Sequence, residues 1–169
     1  MIDAFAQLTH VVSLEEVAWG ILLIAATMIV HAVGMVLTLS VTARLHRRYA
    51  SARSFLHGIV VLVTASWMIV VVHLVEVLVW AGFYAWRDAM PSTSAAYYYA
   101  LGQYTTVGSN LSLPVRWQLL AGMNSMAGLL TFAWSTSVLL TLAQSFQDAE
   151  LQRIAARGGK RPGDSGNTA

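Results

Sequence analysis

The chain has 169 residues, of which 57% are hydrophobic and 11% are charged, and its formal net charge is +2. Soluble domains usually carry about 25% charged residues, so this composition indicates a chain embedded in a membrane. The sequence contains no cysteine, which excludes disulfide bonds and thiolate chemistry.

The first apolar run, residues 17–43, contains no charged side chain. A helix needs about 20 apolar residues to cross a bilayer, so this run is predicted to span the membrane. It follows Ser13-Leu14-Glu15-Glu16, a pattern typical of a capping box at the start of a helix. No lysine or arginine precedes Arg44, so the run lacks the basic flank of a secretory signal and is expected to be retained.

Two further runs, residues 58–86 and 117–147, are also long enough to cross a bilayer. The first of these is interrupted only by His73 and Glu76, and the second carries no formal charge. The predicted fold is therefore all-α, with three transmembrane helices. Aromatic residues near the ends of the runs form the expected interfacial belt: Trp19, Trp80, Tyr84, Trp86 and Trp117.

The stretch 89–115 is uncharged but is a poor candidate for a fourth span. It contains Pro91 and Pro114, a cluster of serine and threonine, and three consecutive tyrosines. The distribution of positive charge decides its path, because basic segments next to spans stay in the cytoplasm. These segments are Arg44, Arg47, Arg48 and Arg53 after the first run, and Arg153, Arg157, Lys160 and Arg161 after the last.

Both basic segments lie on the same side only if 89–115 enters from the outer face and returns. The N-terminus is then outside and the C-terminus is cytoplasmic, in a multi-pass protein of the cell membrane. Irregular backbone at membrane depth has to be buried in protein or line a water-filled cavity. The charge pattern alone therefore predicts a re-entrant pore loop.

Within this stretch, residues 95–104 fit a short helix that Ser92, Thr93 or Ser94 can cap. Thr105-Thr106-Val107-Gly108 follows, and this motif in a membrane loop resembles the selectivity filter of the potassium-channel pore superfamily. The spacing to Pro114, the segment 96–98 and the segment 127–132 also resemble that family. The likeness covers about residues 95–142, and a β-turn in an extracellular loop is the alternative interpretation of the motif.

The resemblance implies a homotetramer in the lipid bilayer that passively conducts monovalent cations. The short helix would point its partly negative C-terminal end at the cations, and a strand-like filter would stack carbonyl oxygens around them. It implies no cofactor other than K⁺ or similar cations, and neither enzymatic activity nor a nucleic-acid partner is expected. The ion-binding filter would be formed by Thr106, Val107, Gly108 and Ser109, with Asn110 at its mouth.

Ser109-Asn110-Leu111 stands where the family has Tyr-Gly-Asp, so discrimination of K⁺ from Na⁺ is expected to be weak. A non-conducting channel homologue is the alternative.

The last span resembles the family's inner helix. Gly128 would be its hinge, or else a close contact between helices. The family's register places Phe132, Thr136 and Leu140 on the cavity. A competing polar stripe has the same helical spacing, and the sequence does not choose between the two faces: Asn124, Gly128, Thr131 and Ser135.

Three ionisable residues, His31, His73 and Glu76, lie inside predicted spans, where such groups are costly. Three interpretations remain open. They form a hydrogen-bonded network that joins the first two spans, with a tyrosine of the short helix as a further partner. They sense pH, since histidine titrates near neutral pH. Alternatively, His31 and His73 ligate a haem b in a three-span membrane anchor.

Three regions are predicted along the chain: an extra N-terminal helix with its basic loop at 1–56, the pore domain at 57–146, and a cytoplasmic tail at 147–169. The last helix should continue to about Arg157, with Glu150 and Arg153 as an i,i+3 pair, before Gly158-Gly159 ends it. The remaining residues, 160–169, are expected to be disordered. The sequence has no nucleotide-binding loop, catalytic triad or metal-binding helix signature.

Overall fold

A computed structural model describes residues 13–48 and 55–158. The described chain is all-helical, and no strand occurs in these two ranges. In order, the elements are α1 (Leu14–Arg48), α2 (Phe55–Trp86), α3 (Thr93–Tyr104), a 3₁₀ turn (Val115–Trp117) and α4 (Leu119–Gly158). The expectations for Arg53, Gly159 and the tail from Lys160 onward lie outside the described residues.

Three helices are long and apolar enough to cross a membrane, which confirms the all-α, three-span prediction. Each helix extends beyond the apolar run from which it was predicted. The extensions of α1 and α4 carry charged residues, such as Arg47 and Arg48 in the last turn of α1, where they complement the helix dipole. Glu150 and Arg153 form the predicted ion pair in α4, at 3.0 Å.

The first helix turns its more polar face into the bundle, although most of the buried core of the described chain is apolar and aromatic. One face of α1 is buried at a spacing of three or four residues and is rich in small and polar side chains, whereas isoleucine, leucine and valine cover its outer faces. Such a distribution is typical of a helix in lipid, because the apolar side chains can contact the lipid tails. The small residues on the buried face let neighbouring helices approach closely. The buried face of α1 consists of Glu16, Gly20, Leu23, Thr27, His31, Met35, Thr38 and Thr42.

The short helix α3 enters the bundle between α2 and α4. The Ser92 hydroxyl accepts a hydrogen bond from the Ala95 N–H at 3.1 Å, which is the expected N-cap. At the other end, Tyr104 contacts Glu76, which lies ten residues before the end of α2 at Trp86. A helix rises 1.5 Å per residue, so α3 ends roughly 15 Å below the level at which α2 ends.

An aromatic cluster shows that the chain leaves and re-enters the same end of the bundle. Trp86, at the end of α2, packs on Trp19 of α1, and Trp117, just before α4, packs on Phe83 at 5.5 Å between ring centroids. The Arg87 guanidinium lies over the rings of these three tryptophans, 5.0–5.8 Å from their centroids. Arg87 also forms an ion pair with Glu15 at 2.6 Å. The segment from Arg87 to Trp117 therefore begins and ends at the same end of the bundle.

Glu16 connects the first and last long helices. Its backbone N–H donates to the Ser13 hydroxyl at 3.1 Å, as the capping-box pattern predicts. Its carboxylate is fully buried and accepts a hydrogen bond from the Leu119 N–H at 2.6 Å. A carboxylate at a helix N-terminus satisfies a free amide and interacts favourably with the dipole, so Glu16 holds the start of α4 against α1.

Candidate functional site

The TTVG loop follows directly from the last turn of α3 and is tied back to it. The Thr106 N–H donates to the Gln103 carbonyl, and the Gly108 N–H donates to the Gly102 carbonyl, both at 2.9 Å. A Cβ on Gly102 would contact the carbonyl oxygen of Gly108. Gly102 therefore lets the loop lie against the helix that precedes it.

The backbone of this loop is not the strand-like segment predicted from the sequence. Thr106 has a φ of 60° and Gly108 a φ of 83°, both in the left-handed region. The two hydrogen bonds to α3 hold the chain in tight turns, which prevents an extended conformation. Glycine adopts positive φ without strain, but a β-branched threonine there is an outlier.

The loop lies on the surface of the described chain. The Val107 side chain is 85% exposed, and Thr106 and Asn110 are also exposed. The Ser109 hydroxyl accepts a hydrogen bond from the Leu111 N–H at 3.1 Å. Ser109 therefore stabilises the turn that follows the TTVG motif. The four predicted filter residues are thus contiguous and accessible, and they lie at the end of α3.

Two side chains of α4 hold the last turn of α3 in place. The Asn124 amide donates to the Ala100 carbonyl at 3.1 Å, and the Ser125 hydroxyl donates to the Gln103 carbonyl at 2.8 Å. Both bonds attach backbone carbonyls near the C-terminal end of α3 to α4, so they stabilise that end of α3. Sequence reasoning missed Ser125, because no local pattern distinguishes it from other serines in a span.

The structure separates the two faces of α4 that competed for the cavity. Asn124, Thr131 and Ser135 of the polar stripe are buried inside the protomer. The other face is exposed: Phe132 at 40%, Leu140 at 56%, and Thr136 between them. The polar stripe packs against α1, α2 and α3, and the face of Phe132 is available to a neighbour or a cavity.

Gly128 makes the close helix contact that was one of its two interpretations. It is buried, and a Cβ there would overlap the carbonyl oxygen of Tyr104. A larger residue at this position would push α4 away from the end of α3. Its role as a hinge stays a prediction.

His31, His73 and Glu76 form one hydrogen-bonded network, which joins α1 to α2. His31 Nδ1 is 2.8 Å from Glu76 Oε1, and His73 Nδ1 is 3.2 Å from Glu76 Oε2. Glu76 is fully buried. The hydroxyl of Tyr104, in the last turn of α3, donates to Glu76 Oε2 and lies 2.7 Å from His73 Nδ1. The predicted tyrosine partner is therefore Tyr104.

The last helix completes the network through Thr131 and Ser135. Thr131 Oγ1 is 2.6 Å from the Tyr104 hydroxyl. Ser135 Oγ is 3.1 Å from His73 Nε2 and 3.4 Å from His31 Nε2, so each imidazole lies between Glu76 and Ser135. All four helices thus contribute a side chain. The polar stripe was the only sequence signal for the two α4 residues, and it did not indicate which way they face.

The hydrogen bonds limit how the polar groups of the network can pair. A carboxylate only accepts hydrogen bonds, so any side chain that bonds to Glu76 does so as a donor. Ser135 has one hydroxyl proton and can donate to only one Nε2 at a time. Each imidazole has a polar neighbour at both of its ring nitrogens.

The two histidines do not fit a haem between them. Their ring centroids are 5.6 Å apart, and both rings share Glu76 and Ser135 as neighbours. A haem held by both would have to pass through the space that these side chains and Tyr104 fill.

No protein-family model matches the chain, and neither a curated protein nor a solved structure matches it.

Proposed function

We propose that four copies of this chain form a potassium-channel-like pore that passively conducts monovalent cations, with weak selectivity for K⁺ over Na⁺. The observation that carries the proposal is the position of the TTVG motif. It follows a short capped helix that enters from one end of the bundle and stops about midway, and the chain then returns to the same end.

The geometry of this segment supports a re-entrant path. Its two ends meet in the cluster of Arg87 and the tryptophans, a composition typical of a membrane–water interface. Its deepest helical residue, Tyr104, is surrounded by other helices. Irregular backbone at this depth is tolerated where it is buried in protein or lines a water-filled cavity. A pore loop is packed on protein on one side and lines the cavity on the other.

The exposed loop supports a filter shared between subunits. One loop cannot surround an ion, and closed cyclic symmetry brings identical loops together. A regular strand points successive carbonyl groups to opposite sides, and positive φ at Thr106 and Gly108 breaks that alternation. Positive φ at a non-glycine residue costs about 1–3 kcal/mol and clusters at functional sites.

Electrostatics favours a cation at this position. The C-terminal end of α3 carries a partial negative charge, and four such ends would point at the same axis. The exposed face of Phe132, Thr136 and Leu140 would line the cavity below, as the family register implies. The apolar groove between α2 and α3, lined by Leu78, Ala81 and Tyr97, would face lipid or a neighbouring subunit.

Flux from liposomes under a K⁺ gradient tests the proposal. We expect uptake that requires the gradient, together with a native mass of four chains in detergent. Gly102→Ala should reduce flux and leave assembly intact, because its Cβ would displace the Gly108 carbonyl. Gly122→Ala is the matched control, since a Cβ there contacts nothing within 4 Å.

A stable monomer or dimer without flux would remove the proposal. A tetramer that carries no current would favour the non-conducting homologue.

A further inference from the structure

His31, His73 and Glu76 bring three ligand atoms within 4.8 Å of one another in the buried centre of the bundle. We propose that this cluster is a binding site for a divalent transition metal of the zinc class. The proposal concerns binding by each protomer, so it does not depend on whether the chain conducts ions.

The donor set matches the chemistry of zinc. Two imidazole nitrogens and one carboxylate oxygen are a ligand set that recurs at zinc sites with one open position. With bonds of 2.0–2.1 Å, two ligands of a tetrahedral zinc ion lie about 3.3 Å apart. The Nδ1 atoms lie 2.8 Å from Glu76 Oε1 and 3.2 Å from Glu76 Oε2, and the three ligand atoms are within 4.8 Å of one another, so rearrangement of these side chains would bring them to the spacing of a tetrahedral site.

The surrounding side chains fit the loaded state. A metal-bound histidine needs a hydrogen-bond partner for its other ring nitrogen, and both Nε2 atoms face Ser135 Oγ. The Ser135 oxygen has two lone pairs and can accept a hydrogen bond from each imidazole ring. The Tyr104 hydroxyl contacts the Glu76 carboxylate and is close enough to donate to the oxygen that does not bind the ion. The ion would replace the protons on Nδ1, with water in the fourth position.

His73 provides the route by which an ion reaches the cluster. Its side chain is 10% exposed, whereas those of His31 and Glu76 are fully buried. The Phe132 ring covers it, with 4.4 Å between ring centroids, and lies on the exposed face of α4. Rotation of one phenylalanine would therefore open the cluster. A bound ion would fix α1 to α2 and, through Tyr104, to the last turn of α3.

Cobalt titration of the purified full-length chain in detergent tests the site, because tetrahedral Co²⁺ absorbs strongly in the visible range and the chain has no cysteine to compete. We expect one Co²⁺ per chain with a tetrahedral spectrum, displaced by Zn²⁺. Glu76→Gln and His31→Gln should each weaken binding by at least 100-fold. Ser135→Ala should weaken it by about 10-fold, as expected when only a supporting hydrogen bond is lost.

His46→Gln is the control, because His46 is exposed in the last turn of α1 and lies outside the cluster. Unchanged binding in His31→Gln, or loss of binding in His46→Gln, would overturn the proposal. X-ray absorption of the zinc-loaded wild type keeps the test decisive if a variant does not fold. Two imidazoles and short oxygen bonds support the site, and a shell of six oxygens contradicts it.

Discussion

Gly128 lies where α4 packs on the last turn of α3, and an added methyl group there would overlap the Tyr104 carbonyl oxygen. Overpacking a tight contact costs about 1–3 kcal/mol. We therefore expect Gly128→Ala to lower the thermal unfolding temperature of the protein in detergent. Gly122→Ala, in the same helix but with open space around it, should leave that temperature unchanged or raise it slightly. Equal effects of the two substitutions would argue against the contact.

Tyr104 is the residue through which the polar network reaches α3. Tyr104→Phe keeps the ring but removes the hydroxyl that contacts Glu76, His73 and Thr131. Leaving buried polar groups without a partner costs about 1–3 kcal/mol, so we expect a clear loss of stability. The control is Tyr98→Phe, because Tyr98 is 58% exposed. A Tyr104→Phe protein as stable as this control would show that the network does not support α3.

Glu76→Gln separates the structural role of the network from proton sensing. The substitution keeps the shape of the side chain and removes the negative charge that both histidines contact. We expect the stability of the assembly to fall while the pH dependence of flux changes little. The measurements are unfolding in detergent and liposome flux across a pH series. Loss of a pH response with intact assembly would instead identify a proton sensor.

At the scale of the elements, helix existence followed from the sequence, and helix extent followed in part. Long uncharged runs predict three spans because only apolar residues are tolerated in lipid. That criterion alone stops too early for α1, which continues to Arg48, whereas the end of α4 at Gly158 agrees with the predicted continuation to about Arg157. Ser92 predicted the start of α3, because capping is a local interaction.

The sequence suggested one contact between distant elements, the network of His31, His73 and Glu76 with a tyrosine, but it did not reveal the others. Glu16 fits a local capping box, yet its carboxylate also binds the Leu119 amide of α4. Arg87 carries no helix pattern, and its place among three tryptophans depends on where α1 and α4 begin and where α2 ends. The sequence showed the TTVG motif but not the positive φ of Thr106, because hydrogen bonds to α3 impose that conformation.

Cysteine labelling can determine on which side of the membrane each helix end lies, because the chain has no native cysteine. We expect Ser92→Cys to react with a membrane-impermeant maleimide on intact cells, since it precedes α3 at the outer end. Arg47→Cys and Gln152→Cys should react only after the membrane is permeabilised. Reaction of Gln152→Cys from outside would mean that the segment between α2 and α4 crosses the membrane, and the re-entrant interpretation would be wrong.

At the scale of the whole molecule, we expect the selectivity of the proposed pore to depend on the residues after TTVG. Ser109 forms a turn bond to Leu111 in place of the family's tyrosine, so fewer consecutive carbonyl sites are expected. We expect K⁺ permeation with weak discrimination against Na⁺ in bi-ionic reversal potentials. Ser109→Tyr with Asn110→Gly should increase the discrimination.

The matched control for that pair is Ser109→Ala with Asn110→Ala, which removes the same side chains without restoring the family sequence. Strong K⁺ selectivity of the wild type would show that Ser109 and Asn110 complete the filter in another way.

The contacts of α1 also affect how the protein is made. Residues 31 and 76 are separated by 45 positions, and residues 16 and 119 by 103 positions. A ribosome adds about 5–20 residues per second, so Glu16 waits roughly 5–20 seconds for its partner amide to be synthesised. During that interval the first helix exposes a histidine and a carboxylate on a face that will later be buried. We therefore expect α1 to stay beside the insertion machinery during synthesis and to be released into lipid when the last helix arrives.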